Sequence, residues 1–180
     1  SGSDLMGLVA NDLGREVMEM PVGFKYIASE MLSREVLIGG EESGGIGFGG
    51  HLPERDALFG ALMLLEALTY GDDLLGERID KLKRKFGDSY YERIDLRLAN
   101  MQSRKELETF LRDKTPLMVE GKKVLDVISI DGVKLRLNNR HWLMFRFSGT
   151  EPLLRIYCEA PTRQEVHISL GWAKELAEQF

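Results

Sequence analysis

Two stretches of this 180-residue chain gather polar side chains at spacings that allow chemistry. The first, GGEESGGIGFGG, covers residues 39–50 and sets two adjacent carboxylates, Glu41 and Glu42, and the hydroxyl of Ser43 among seven glycines. Carboxylates accept hydrogen bonds from a ligand's hydroxyls, and a serine can donate or accept. Glycine allows unusual backbone angles and close approach of a ligand. Taken alone, the stretch reads equally as a flexible connector or as a polar loop. The second stretch, RFSGTEPLLRIY, covers residues 146–157. Ser148, Gly149 and Thr150 supply two hydroxyls and closely spaced N–H groups, bracketed by Arg146 and Arg155. A nest of N–H donors with guanidinium forks suits the oxygens of a phosphate. The same residues also fit a plain hairpin loop whose Ser and Thr satisfy their own backbone.

The other reactive side chains read as structural. Cys158 is the single cysteine, so no internal disulfide can form, and a cytoplasmic location is expected. Within the apolar run LLRIYCEA it reads as a small buried hydrophobe. Asp72 and Asp73 sit at a helix start, where capping explains them better than metal binding. His141 and His167 belong to no motif and read as structural. KLKRKF, residues 81–86, reads as the solvated last turn of a helix, where cations complement the dipole. With a net charge of −5 and no other basic tract, nucleic acid is excluded as a partner, although a local pocket can still hold an anion. No apolar run is long enough to span a membrane, and no signal peptide is visible.

The composition, 43% hydrophobic and 29% charged, is that of a folded protein with room for one medium domain or two small ones. The spacing predicts a helix over 4–13 ending at Gly14, a strand over 15–20, a helix over 22–34 entered through Pro21, and a strand over 35–40 running into the glycine loop. This order suggests an α/β partial domain with a mixed or parallel sheet. Loops at the carboxyl edge of such sheets commonly bind ligands. Pro53, Glu54 and Asp56 mark the start of a largely apolar helix over 54–70, expected to be well buried, followed by a helix over 72–86. Near residue 88 the character changes. Strands are expected over 90–98, 123–130, 133–138, 141–147 and 153–159, with a hairpin turn at Asp131–Gly132. Helices are expected over 103–113, opened by Ser103 and Glu106, and over 162–179. The second half therefore reads as α+β, with a mostly antiparallel sheet and two helices, and the boundary falls between 87 and 93.

Four motifs in this order, VGFKYI, GGEESGG, HLPERD and RFSGTEPLLRIY, resemble the C-terminal part of the α-D-phosphohexomutase family. The resemblance covers nearly the whole chain after Ser1–Ser3, which read as a cloning scar. It implies that residues 4–87 are the later part of the family's third domain and residues 88–180 its fourth. Family enzymes, the phosphoglucomutases, phosphomannomutases and phosphoglucosamine mutases, move a phosphoryl group reversibly between the 1 and 6 oxygens of a phosphosugar. A phosphoserine on the first domain, a bisphosphate intermediate such as glucose 1,6-bisphosphate, and Mg²⁺ held on the second domain take part. No serine motif or aspartate metal loop of that kind is in this sequence, so no catalytic or metal residue is expected here.

The resemblance implies that Glu41 and Ser43 read sugar hydroxyls and that Glu42 points away. Arg55, in HLPERD, matches a position where relatives carry a base near the substrate. Its alternative is a surface arginine on a first helical turn, where positive charge opposes the dipole. His51 contacts a phosphate or sugar oxygen, or simply packs. Lys25 matches a motif near the sugar site, or else snorkels from an amphipathic helix. Arg146, Ser148, Gly149, Thr150 and Arg155 match the phosphate loop. The middle residue of GEESGG favours glucose phosphate, with mannose phosphate second. The expected partners are a phosphosugar and the N-terminal domains of the same protein, with self-association possible at a truncated sheet edge. Closure of the last domain is expected to hinge near 88–93. The alternatives are a non-catalytic module that binds phosphosugars or other anions, and a plain structural domain.

Overall fold

The computed structural model describes residues 1–137 and 140–180, and the chain divides into two compact units, Ser1–Gly87 and Asp88–Phe180. In the first, helix α1 (Asp4–Asp12) is capped by the Ser3 hydroxyl, which accepts from the Leu5 N–H at 3.1 Å. Helix α2 (Phe24–Ser33) follows, then strands β1 (Ile38–Gly40) and β2 (Ile46–Phe48). Helix α3 (Ala57–Thr69) is capped by Asp56, whose carboxylate accepts from the Phe59 N–H at 2.9 Å. Helix α4 (Leu75–Phe86) ends at Gly87, with Lys83, Arg84 and Lys85 in its last turn as the sequence suggests. Arg78 ties α4 to the end of α3 by donating to the carbonyls of Ala67 and Tyr70 at 2.8 and 2.7 Å, which satisfies acceptors the helix leaves open. An ion pair between Lys85 and Asp12 joins α4 to α1.

Three local expectations fail in this unit, although its class, a small sheet with helices, stands. Residues 15–20 form no strand, and residues 15–19 are exposed: the run meets no neighbouring strand to hydrogen-bond with. The two strands that do form pair antiparallel, Ile38 with Phe48 and Gly40 with Ile46, because the short glycine loop folds one directly back on the other. Helix α3 starts at 57 and buries none of its residues, with Leu58 82% exposed. Its apolar surface finds no opposing apolar layer within the unit.

The second unit is one six-stranded antiparallel sheet, ordered β3-β8-β7-β6-β5-β4. The strands are β3 (Tyr90–Arg97), β4 (Met118–Val119), β5 (Lys122–Ile128), β6 (Val133–Leu137), β7 (His141–Phe147) and β8 (Leu153–Ala160). Residue 138, the end of one expected strand, lies outside the described residues. Helices α5 (Met101–Asp113) and α6 (Arg163–Ala177) supply Leu107, Leu111, Val166, Leu170 and Ala173 to a core shared with Leu135, Leu143, Phe145, Leu154 and Ile156. Alternation along each strand turns Trp142, Met144, Arg146, Arg155 and Tyr157 to the opposite face. Helix α5 begins two residues earlier than Ser103 predicts. Asn100 is its cap, accepting from the N–H groups of Gln102 and Ser103 at 2.8 and 3.0 Å, and Ser103 itself is buried. Thr162 caps α6 as expected, accepting from the Glu165 N–H at 3.2 Å.

Candidate functional site

The glycine stretch is a structured hairpin, which removes the connector reading. The Glu41 N–H donates to the Gly45 carbonyl at 2.9 Å, and the Gly44 N–H donates back to the Glu41 carbonyl at 3.0 Å. Its glycines are needed for contact: a Cβ on Gly49 would lie 1.9 Å from the Val36 carbonyl oxygen, and one on Gly45 would lie 2.3 Å from Cδ of Arg55. The Glu41 carboxylate is only 11% exposed. One oxygen accepts from the N–H of Gly23, at the head of α2, at 3.0 Å; the other is 3.5 Å from the Arg55 guanidinium. Negative charge at a helix N-terminus is favourable. Glu41 therefore fastens α2, the loop and Arg55 together and keeps one edge toward the loop.

Arg55 precedes the cap of α3, so it does not stand in the helix's first turn, and the expected conflict with the dipole does not arise. Its guanidinium lies 5.6 Å from the centre of the Phe24 ring and 3.3 Å from Glu54, half exposed. The Arg55 N–H and then its side chain hold the Glu54 carboxyl below its ordinary value. His51 bonds Asp56 at 2.9 Å and stacks on Phe59 with centroids 4.2 Å apart. The Phe59 N–H, and after it His51, draws the Asp56 carboxyl down. Lys25 is exposed over the ring of its neighbour Tyr26, at 4.8 Å, in keeping with a snorkelling lysine. Ser43 and Glu42 are exposed. The fold thus brings Glu41 and Arg55 together, with His51 attached through Asp56; among the described contacts none joins Lys25 or Ser43 to them.

In the second unit, residues 148–152 connect β7 to β8. The Ser148 N–H closes the hairpin on the Leu153 carbonyl at 2.9 Å, and the Leu98 N–H holds the Pro152 carbonyl at 2.8 Å. The Ser148 hydroxyl accepts long bonds from the N–H groups of Glu151 and Thr150, at 3.3 and 3.5 Å. These donors meet the loop's own serine oxygen, as the plain hairpin reading has it. Below the loop, Arg146 and Arg155 are direct cross-strand partners. Like charges directly opposite are unfavourable, and each guanidinium here has its own carboxylate. Arg146 meets Asp131 at 3.0 Å and Arg155 meets Asp95 at 3.8 Å, while Asp95 also takes Arg93 at 3.0 Å. Burial pulls Arg146 toward losing its proton, but the hydrogen bond and charge of Asp131, helped by Tyr157, outweigh it and raise the group further. The arginine therefore stays cationic.

Sequence reasoning missed Asp95, Asp131 and Arg93. The alternation Arg93, Asp95, Arg97 in a predicted strand was the available signal for one cluster; Asp131 was absorbed by its role as a turn residue. The two buried reactive groups lie elsewhere. His141 is 3.6 Å from the Cys158 sulfur and 2.9 Å from the Ser169 hydroxyl. Burial first, then the Lys122 charge, lowers His141 to about 4, and burial raises Cys158 to about 12. Among the described residues, no group of three or more His, Cys, Asp or Glu is placed to hold a metal ion. Among them, too, no helix is long and apolar enough to cross a membrane.

Residues 1–86 match the description "Phosphoglucomutase/phosphomannomutase, alpha/beta/alpha domain III", and residues 94–168 match the C-terminal domain of the same family. A phosphoglucomutase/phosphomannomutase of Thermococcus kodakarensis is 27% identical over 98% of the chain and 36% of its own length. A phosphoglucosamine mutase of Limosilactobacillus reuteri is 32% identical over 81% of the chain and 28% of its own length. A crystal structure assigned as a phosphomannomutase of Thermus thermophilus superposes with a TM-score of 0.75 at 33% identity, covering 98% of this chain and 34% of that one. The chain spans about a third of the length of the relatives it matches.

Proposed function

The chain belongs to the phosphoglucomutase/phosphomannomutase family, represented here by its third and fourth domains, and from this we propose that it is the ligand-holding part of a phosphohexose mutase. In this reading Arg146, Ser148, Gly149, Thr150 and Arg155 grip the phosphate that is not reacting. Glu41, Ser43 and Arg55 read the sugar hydroxyls, with His51 and Lys25 at the edge of that group. Holding the remote phosphate fixes the position of the reacting end, and binding energy used in this way lowers the barrier of the chemical step. The phosphoryl-carrying serine and the Mg²⁺ of the family reaction would come from segments outside this sequence, so the chain alone is proposed to lack turnover. The relatives carry glucose, mannose and glucosamine names at 25–32% identity, so the preference for glucose phosphate rests on the GEESGG loop.

One observation carries the reading: two arginines in direct register beneath the Ser-Gly-Thr loop, an arrangement of like charges that suits an anion. An NMR titration of the chain with glucose 1,6-bisphosphate tests it. Amide signals within 146–155 should shift, Arg146→Ala should weaken binding at least ~10-fold, as expected for a charge-assisted contact, and added salt should weaken it further. A titration that leaves residues 146–155 unmoved overturns the phosphate site. Interconversion of glucose 1-phosphate and 6-phosphate by the pure chain overturns the claim that it lacks turnover.

A further inference from the structure

We infer that Asp131 is a positioning residue of the anion site, holding Arg146 in the orientation in which its guanidinium can meet a phosphate beside loop 148–152. The inference rests on the phosphate-site reading above and adds to it a residue from a different hairpin, the turn between β5 and β6. Three observations place Asp131 there. Its carboxylate oxygen lies 3.0 Å from Nε of Arg146, and both side chains are about three-quarters buried, at 25% and 23% exposure. The next residue, Gly132, has φ +82°, and a Cβ there would lie 2.1 Å from the Phe145 carbonyl oxygen and 3.0 Å from Cα of Arg146. The turn is therefore pressed onto β7 at the arginine itself, at a closeness only glycine permits. Finally, Arg146 faces Arg155 across the strand pair, so an untethered Arg146 would be pushed by a like charge.

Through Nε, Asp131 takes one edge of the guanidinium, and Tyr157 supports it from a second side. A fork fixed in this way loses less freedom when it binds a phosphate. On the outer strand β3 Asp95 serves Arg155 more loosely, at 3.8 Å, and shares its carboxylate with Arg93. The charges thus run Asp95, Arg155, Arg146, Asp131 across the sheet, with the two cations central.

Charge and positioning predict opposite outcomes. If Asp131 acted only as a nearby negative charge, removing it would strengthen binding of an anion. A positioning role predicts the reverse. The experiment measures binding of inorganic phosphate and of glucose 1,6-bisphosphate to the intact 180-residue chain and to Asp131→Ala, Asp131→Asn, Arg146→Ala and the Asp131→Ala/Arg146→Ala double variant. Circular dichroism and the NMR spectrum of the core verify folding of each. Asp131→Ala should weaken binding about 5- to 10-fold, the loss of one oriented contact. Asp131→Asn keeps an oxygen that can accept from Nε and should stay within about 3-fold of the parent. The double variant should bind no worse than Arg146→Ala alone, because the aspartate acts only through the arginine. Binding by Asp131→Ala as tight as or tighter than the parent overturns the inference and leaves the phosphate site standing, as does a further loss in the double variant. Absence of binding by the parent chain overturns the phosphate site, and the inference with it. Should Asp131→Ala fail to fold, Asp131→Gly, which likewise offers Arg146 no acceptor, decides: binding as tight as or tighter than the parent in that variant overturns the inference.

Discussion

The most apolar helix of the molecule and a strand buried at five successive positions lie in different units. Helix α3, ALFGALMLLEALT, contains one charged residue and buries nothing. Strand β7, HWLMFRF, carries a histidine and an arginine and is buried at five successive positions, 141–145. Among the described residues, Phe24 is the only buried hydrophobic of residues 1–87; the others run from Leu98 to Ala177. Burial depends on two apolar surfaces meeting, and composition supplies only one of them. The β7 strand has neighbours on both sides and two helices over one face, whereas α3 meets a two-stranded hairpin of three residues each. The same contrast separates the two loops. The glycine hairpin is held by Glu41, Phe24 and Arg55, the last of them half exposed, while loop 148–152 is anchored to strands with a continuous core beneath them.

The contrast is broken most directly by removing core from one unit and then the other. Phe145→Ala should destabilise the second unit by about 3–5 kcal/mol, as for a large buried aromatic. Tryptophan fluorescence during urea unfolding measures this cleanly, since Trp142 and Trp172 both lie in that unit. An unchanged midpoint would mean the core is not the source of its stability. Acid should sharpen the difference next. Unfolded, the His141 imidazole takes up its proton near 6.5; folded, only near 4. Between those values the unfolded state binds more protons, so stability falls as pH is lowered, by at most about 1.4 kcal/mol per pH unit, and the loss is complete below about 4. Lys122, Glu165, Cys158 and Ser169 face this ring, and Glu165, itself drawn down chiefly by its bond to Lys122, opposes part of the shift. His141→Asn should flatten the slope between pH 6.5 and 4; an equally steep slope in that variant would assign the acid response to other groups. The smallest effect is expected at Leu62, 63% exposed on α3, where Leu62→Gln should change stability by no more than about 0.5 kcal/mol in circular dichroism melts. A larger loss would show that α3 is covered in solution.

Much of the architecture was legible residue by residue. Thr162 with Glu165, the strand-like run 153–159 and Gly87 as a stop are local signals, and the fold uses each as written. Where reading failed, the deciding partner was distant in sequence or hidden by a nearer candidate. Ser103 looked like a cap because it precedes a helical pattern, yet Asn100 caps the helix three residues earlier, accepting from the Gln102 and Ser103 N–H groups, and Ser103 is buried. Residues 15–20 read as a strand, but a strand needs a second strand to pair with, and the run cannot supply it. In the candidate site, the residue types of both loops were visible, while Glu41 bonding the Gly23 N–H, eighteen residues away, was not.

The sequence by itself determined that this chain has an arginine-flanked Ser-Gly-Thr loop, and where most helices stop, because these depend on neighbours within a few residues; that the glycine stretch is a hairpin it left open. Tertiary structure alone decided that Arg146 and Arg155 stand side by side and that Asp131 and Asp95 serve them. It also decided that the most apolar helix stays uncovered. Strand register and the meeting of surfaces join residues far apart in the chain, and no local pattern encodes the partner.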